Sequence, residues 1–396
     1  MRTPAQGAQE PQEAHGAGTA GTAGTAGNGA HETAILTIDL GALADNYRDL
    51  RERAAGAECA AVVKADAYGL GMAEAAPALW RAGCRTFFVA TITEATDLRA
   101  LLPDAAIYVL NGLLAGTAPL FRKNDLRPVL NSATEIREWA GYCDRVRAPL
   151  ACAVHIDTGM NRLGLSASEV AEILAIPALW RTITLTLVMS HLACADDPGH
   201  AKNAAQRERF DAARARFPET PASLANSAGI LLGHGYHYGL VRPGIALYGG
   251  HPQRQGEVPF RSVVHLMGRI LQIRAATEGE TVGYGATRTL TRPTRIGIVA
   301  AGYADGLFRA LSAGDGEVGL TAYLGPYPVP ILGRVSMDLI AVDVTDIPDA
   351  YTQRGAWVEL LGPNVSAHAM ALQAGTIDYE VLTSLGTRAT RRYIGG

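Results

Sequence analysis

The sequence predicts an α/β chain in which an N-terminal (β/α)8 barrel of the TIM-like kind precedes a C-terminal, mostly-β domain. Three observations carry that expectation. Between about residues 33 and 259, short apolar runs alternate with amphipathic segments, the pattern of a parallel sheet covered by helices. Eight such units fit into roughly 215 residues, which suits a barrel in number and length. From Phe260 onward, strands and turns follow without long helices, which reads as a second domain over 260–396. A doubly wound open sheet is the alternative for the first part.

The elements follow in order. Residues 1–32 include "AHGAGTAGTAGTAGNGAHE", Gly, Ala and Thr without a bulky apolar residue. Such a run buries too little surface to offset its ordering entropy and is expected to be a disordered tail. It lacks the apolar middle of a signal peptide. "TAILTIDLGALADNYRDLRERA" reads as a strand and a helix, with Asp39 as N-cap and Leu40, Leu43, Tyr47 and Leu50 on one face. The strand at 33–39 either opens the barrel segment or joins the C-terminal domain. Barrel strands are expected at 59–65, 86–91, 106–112, 127–131, 150–159, 182–191, 221–227 and 244–249. "EATDLRALL", "ATEIREWAGYCDR", "ASEVAEILA" and "NAAQRERFDAARARF" supply helices between them. In the second domain "SVVHLMGRILQIRAAT", "TRIGIVAAG", "YPVPILGRVSMDLIAVDVT" and "WVELLG" read as strands, and "TIDYEVLTSLGTRATRRYI" as a short helix and a strand.

Composition bounds the function. Of 396 residues, 48% are apolar and 18% charged, with net charge −3, so a large core is possible and no charge excess favours nucleic acid or anionic membranes. No apolar run approaches the roughly 18 residues of a membrane span. The five cysteines are scattered, with no C-x-x-C pair, which argues against a disulfide framework or a zinc site and for a reducing, cytoplasmic setting. No metal is expected.

In such a barrel, chemistry sits at the C-terminal ends of the strands. The first strand ends at Lys64, in "AAVVKADAYGLG", and other strand ends carry Asn111, "HIDTGMNRLG", Ser190-His191, Asn226-Ser227 and "VRPGIALYG". A lysine lined by apolar strand ends has its charged form disfavoured and can act as a base or form a Schiff base. On position alone it reads equally well as a solvated lysine. "NSAGI" and "RPGIALYG" are small-residue turns able to present backbone N–H groups to a phosphate, without a basic patch. A lysine opposite a phosphate site suggests pyridoxal phosphate.

From Thr33 to the C-terminus the chain resembles the alanine racemases. The resemblance rests on "VVKADAYG", "HIDTGMNRLG", "ANSAG", "VRPGIALYG", "VGYGAT", "GYADG", "GRVSMDL" and "TIDYE", in that order. It implies a pyridoxal 5'-phosphate enzyme interconverting L- and D-alanine, a homodimer with shared active sites, and D-alanine supply to peptidoglycan. By resemblance Lys64 carries the cofactor and serves as base on one face of the substrate. Tyr284, from the other subunit, serves on the opposite face. A free tyrosine has a pKa near 10, so its phenolate needs support, and His191 and Arg242 match the residues linking it to the cofactor ring. Tyr68, Ser227, Tyr379 and the backbone of Gly244 and Ile245 match phosphate contacts, with Asn226 beside them. Val62 and Leu110 match residues that pack around the ring, though plain barrel core accounts for them nearly as well. Arg162 and the backbone of Met337 match the carboxylate site, and Tyr303 the entrance.

Two positions depart from the pattern. His155 stands where many members carry a lysine that becomes carbamylated and orients the substrate arginine. Asp157, Asn161 or a bound anion near Arg162 and His155 could take over, and the anion is the expectation. Leu70 replaces a frequent histidine. The competing readings are a broad-specificity or serine racemase, a decarboxylase of the same scaffold, and a non-catalytic pyridoxal-phosphate binder. "VGYGAT" and the C-terminal domain speak against the last two.

Overall fold

The computed structural model describes residues 31–254, 256 and 259–396. The expected tail lies outside the described residues except for its last two. Thr33–Gly396 form one compact unit built around two sheets.

The first is the barrel. Ala61–Val62, Thr86–Val89, Ala106–Val109, Arg127–Leu130, Leu150–His155, Ile183–Met189 and Ala222–Ser223 pair in parallel, each with the next in sequence. Leu240–Val241 closes the ring as the eighth stave. It pairs with Glu58–Cys59 at the foot of the first stave, and a bridge joins Arg242 to Asn226 beyond the seventh. Helices fill the crossovers, among them Ile92–Leu101, Ala133–Val146, Ala167–Leu174 and Lys202–Arg214. Asp39 caps Leu40–Arg53 by accepting the Ala42 N–H at 2.9 Å. Phe87, Phe88, Trp139 and Phe210 are completely buried, each such side chain contributing about 1.5–3 kcal/mol relative to exposure.

Three barrel expectations need correction at their ends. The strand expected at 244–249 is a 3-10 turn, Ile245–Tyr248. Gly244, at φ −127° and ψ −88°, leaves the extended region. The first stave stops at Val62, and a helical turn begins at Lys64. The seventh stops at Ser223, and Asn226 caps a helix from Ser227 to Leu231. In each case polar backbone at the mouth replaces strand pairing.

The second sheet has eight strands. Val264–Ala276 is the longest, flanked by Trp357–Leu361 and Ala34–Asp39, and it pairs also with Thr294–Val299 across an irregularity between Ile270 and Gln272. Ala34–Asp39 is therefore a strand of this sheet, antiparallel to Val264–Ala276 and parallel to Thr390–Ile394. Helices Ala367–Ala374 and Asp378–Thr383 precede the last strand.

Candidate active site

A cavity of about 460 Å³ opens beside the first stave, with Lys64, Tyr68, Ile377 and Tyr379 in its wall. Lys64 starts a turn in which Ala65, Asp66, Ala67 and Tyr68 take φ of 53–58°, a left-handed helix. Each such residue costs about 1–2 kcal/mol, so its surroundings must hold the turn in place. Glu94 Oε1 accepts the Ala65 N–H at 2.7 Å, and Asp66 Oδ1 accepts that of Met72 at 2.7 Å. Gly69, at φ +82°, lets the turn lie against the backbone of Leu382 and Thr383. The turn brings Lys64 and Tyr68 to the same cavity. Leu70 is completely buried beyond it, an apolar side chain in an apolar place.

Burial holds the Lys64 amine below the ordinary lysine value; the Arg162 charge adds to this and Glu94 opposes it. The Tyr68 ring stacks on Tyr248 at 4.7 Å and meets Tyr379 at 5.9 Å. Burial pushes both flanking phenols up, Tyr379 to about 12. The Tyr248 hydroxyl donates to the Val62 carbonyl at 3.0 Å. Ser227 Oγ accepts the N–H groups of Gly244 at 2.8 Å and Ala246 at 3.3 Å. The Asn226 side chain accepts the Gly229 N–H at 2.9 Å and thereby fixes the start of that helix. Tyr68, Ser227, Gly244, Ile245 and Tyr379 thus gather at one end of the site.

Arg242 lies deeper and is almost fully buried. It donates to Ser223 Oγ, to the Ser190 carbonyl at 2.7 Å and to His191 Nδ1 at 3.4 Å. All three acceptors are neutral. Burial lowers its guanidinium to about 9, which leaves it cationic near neutrality. Guanidinium only donates, so His191 Nδ1 accepts, and the neutral ring carries its proton on Nε2. Burial, and then the Arg242 charge, hold His191 well below the ordinary histidine value.

His155 is buried with Nδ1 2.8 Å from Asn131 Oδ1. Asn131 donates through Nδ2 to the Leu110 and Val129 carbonyls. Its Oδ1 is therefore the acceptor, and His155 holds a proton on Nδ1. Burial, with the Arg242 and Arg162 charges, lowers His155 to about 4. Arg162 is exposed, on a loop closed by the Ile156–Leu165 bridge. Asp157 faces this loop's own backbone, its carboxylate accepting the N–H groups of Gly159, Met160 and Asn161. Burial opposes its ionisation, but those bonds prevail and keep it below the usual carboxylate value.

The remaining residues sit apart. Tyr284 stands between Gly283 and Gly285, both at φ near +75°, and is 74% exposed. Tyr303 and Met337 are also exposed and lie together, the Tyr303 N–H donating to the Ser336 carbonyl at 3.0 Å and the Ala304 N–H to that of Met337 at 3.1 Å. None of the three lines the Lys64 cavity of its own chain.

Residues 38–252 match the family model described as alanine racemase, N-terminal domain, and 263–393 match the C-terminal domain. The chain belongs to the alanine racemase family. It is 51% identical to the alanine racemase of Methylobacterium nodulans, over 92% of this chain and 96% of that one. To the enzyme of Rhizobium meliloti it is 48% identical, over 91% and 97%. Among solved structures, the alanine racemase of Bartonella henselae with covalently bound pyridoxal phosphate matches with TM-score 0.87 and 41% identity, over 91% of this chain and 99% of that one. The biosynthetic alanine racemase of Pseudomonas aeruginosa matches with TM-score 0.84 and 33% identity, over 91% and 99%. The activity is accordingly alanine racemisation, an isomerisation.

Sequence reasoning passed over Glu94, Asn131, Ser223 and Tyr248. Glu94 had a signal, since "TITE" is a capping box and both of its bonds form. Asn131 had none, because its partner His155 is one stave away.

Proposed function

We propose that this alanine racemase works with pyridoxal phosphate and two bases, Lys64 of one subunit and Tyr284 of the partner subunit, in a cytoplasmic homodimer that supplies D-alanine for peptidoglycan. The observation that carries the reading is the Lys64 cavity, where an amine of lowered basicity shares a wall with Tyr68, whose hydroxyl lies against Gly244. The residues suit the cofactor. A Cβ on Gly244 would strike the Tyr68 hydroxyl, so the site needs bare backbone there, as a phosphate-binding turn does. Arg242 also has only three of its five donors engaged.

When bound, pyridoxal phosphate draws electron density from the substrate Cα and so acidifies its hydrogen. Tyr68, Ser227, Tyr379 and the backbone of Gly244 and Ile245 would hold the phosphate, the Gly244 N–H exchanging Ser227 Oγ for a phosphate oxygen, with Asn226 behind Ser227. Val62 and Leu110 would pack against the ring, and Arg242 would donate toward the ring nitrogen. A permanent donor there would leave that nitrogen unprotonated and limit charge build-up in the ring, which would disfavour side reactions. Lys64 takes or returns the Cα proton on the D-alanine side, and Tyr284 of the partner subunit does so on the L-alanine side. His191, neutral with its proton on Nε2, donates to that phenolate and lowers its cost. Arg162 and the Met337 backbone of the partner subunit receive the substrate carboxylate, matched in geometry by the guanidinium fork. Tyr303 of the partner subunit narrows the entrance.

The test is a panel of L- and D-amino acids with purified holoenzyme. Interconversion of alanine well above that of other residues supports the reading. Comparable turnover of serine would replace it with a broad-specificity racemase.

A further inference from the structure

We propose that Asp378 is a positioning residue for the phosphate end of the site, clamping the barrel loop that carries the Gly244 turn to the helix that presents Tyr379. The proposal rests on the pyridoxal-phosphate reading above.

Asp378 is 4% exposed, an unusual place for a carboxylate. Its two oxygens reach different parts of the chain. Oδ2 accepts the His251 backbone N–H at 2.7 Å, and Oδ1 meets His368 Nδ1 at 3.0 Å. His251 lies three residues beyond Tyr248, on the loop that leaves the Gly244–Tyr248 turn. Its ring lies against that of His368 at 4.5 Å. Gly250 makes the approach possible, because a Cβ there would meet the Ile245 side chain at 2.5 Å and Asp378 Cβ at 3.3 Å. One side chain therefore joins three segments: the loop after the eighth stave, helix Ala367–Ala374 and helix Asp378–Thr383.

Tyr379 is the next residue, and its ring is 5.9 Å from Tyr68. Ser227, Gly244 and Tyr68 belong to barrel segments, whereas Tyr379 comes from the far end of the chain. Its position depends on what fixes the start of its helix, and Ile377 there offers no side-chain cap. The Thr376–Glu380 side-chain bond closes the first turn, and the Asp378 carboxylate ties that turn to the barrel loop. The bond to the His251 N–H, at 2.7 Å, lies at the short end of the N–H···O range. An apolar residue could fill the same volume but could not hold a backbone N–H and an imidazole at once. Losing the carboxylate should therefore loosen Tyr379 against the phosphate and leave Lys64 and its support by Glu94 unchanged.

The experiment uses apoenzyme and two probes, pyridoxal phosphate and pyridoxal, which lacks the phosphate. Asp378→Ala should weaken pyridoxal phosphate at least tenfold and change pyridoxal less than twofold. At saturating cofactor its kcat should stay within about threefold of wild type, since the bases are untouched. Tyr379→Phe should also weaken pyridoxal phosphate, and the double variant should be no worse than Asp378→Ala alone, as expected of residues acting through one contact. Equal losses for both probes, or fully additive losses, would mean a general structural role and overturn the proposal. So would wild-type affinity in Asp378→Ala. If Asp378→Ala does not fold, Asp378→Leu gives the same comparison, because it fills the volume without an acceptor. Wild-type apoenzyme that bound neither probe would overturn the cofactor reading, and the clamp with it.

Discussion

Gly244 lies directly beneath the hydroxyl of Tyr68, so close that a Cβ at position 244 would occupy the phenol's space. The contact joins the eighth stave to the left-handed turn after the first. It gives Gly244→Ala a specific consequence. A Cβ there would overlap the Tyr68 hydroxyl oxygen, so the substitution forces a collision. Overpacking of this kind typically costs about 1–3 kcal/mol. Thermal unfolding of the apoenzyme should show that loss, and pyridoxal phosphate should bind more weakly. Removing the colliding hydroxyl in Gly244→Ala/Tyr68→Phe should recover part of the stability. A double variant less stable than both single variants would place the strain elsewhere.

The turn between these residues shows where sequence reading reached its limit. The staves and crossover helices were legible because their apolar periodicity is a local property. Lys64 stood out for the same reason, as a charge at the end of an apolar run. Nothing in "ADAY" announces a left-handed helix, since Ala, Asp and Tyr all prefer right-handed or extended backbone. Glu94 and the Leu382 backbone impose it. "GIALYG" misled in the opposite way: its apolar residues are buried as in a strand, but Ser227 claims the Gly244 and Ala246 N–H groups. The roles of Ser227 and Tyr379 came only by resemblance, because no local pattern brings residues so far apart in sequence into one site.

His155 makes acid stability testable. Its folded value of about 4 lies below the ordinary 6.5. Between the two, the unfolded chain binds a proton that the fold refuses. The contribution is complete above pH 6.5 and is lost as pH falls toward 4, at most about 3 kcal/mol. His191 acts in the same direction. Urea unfolding at pH 7.5 and pH 5 should show the drop, and His155→Gln, which does not titrate, should show a smaller one. An equal drop in that variant would assign the acid sensitivity to other groups.

Arg242→Lys tests whether the guanidinium fork matters or only the charge. An ammonium group cannot reach Ser223, Ser190 and His191 together in the geometry that arginine uses. It is also free to lose its proton when buried. We expect kcat to fall about 10²-fold, as when one preorganised donor is removed, while cofactor still binds. The pH profile of the residual activity should shift from that of the wild type. A variant within twofold of wild type at every pH would show that a point charge suffices.

Tyr284 yields the sharpest test of the shared site. It is 74% exposed in a single chain and does not line that chain's Lys64 cavity. If it serves the neighbouring subunit, Lys64→Ala and Tyr284→Phe homodimers should each lose racemisation, yet a mixture should regain it. In the mixed dimer one site takes Lys64 from the Tyr284→Phe chain and Tyr284 from the Lys64→Ala chain, while the other site lacks both. Two-fold symmetry then gives about half the wild-type rate per mixed dimer. The measurement is D-alanine formed from L-alanine after co-refolding, with the mixed dimer isolated by two affinity tags. A mixed dimer as inactive as its parents would mean that Tyr284 acts within its own chain or does not act as a base. Tyr284→Phe alone separates those two cases. If Tyr284 is the base on the L-alanine side, that variant should still exchange the D-alanine Cα hydrogen with solvent deuterium through Lys64, while exchange from L-alanine is lost.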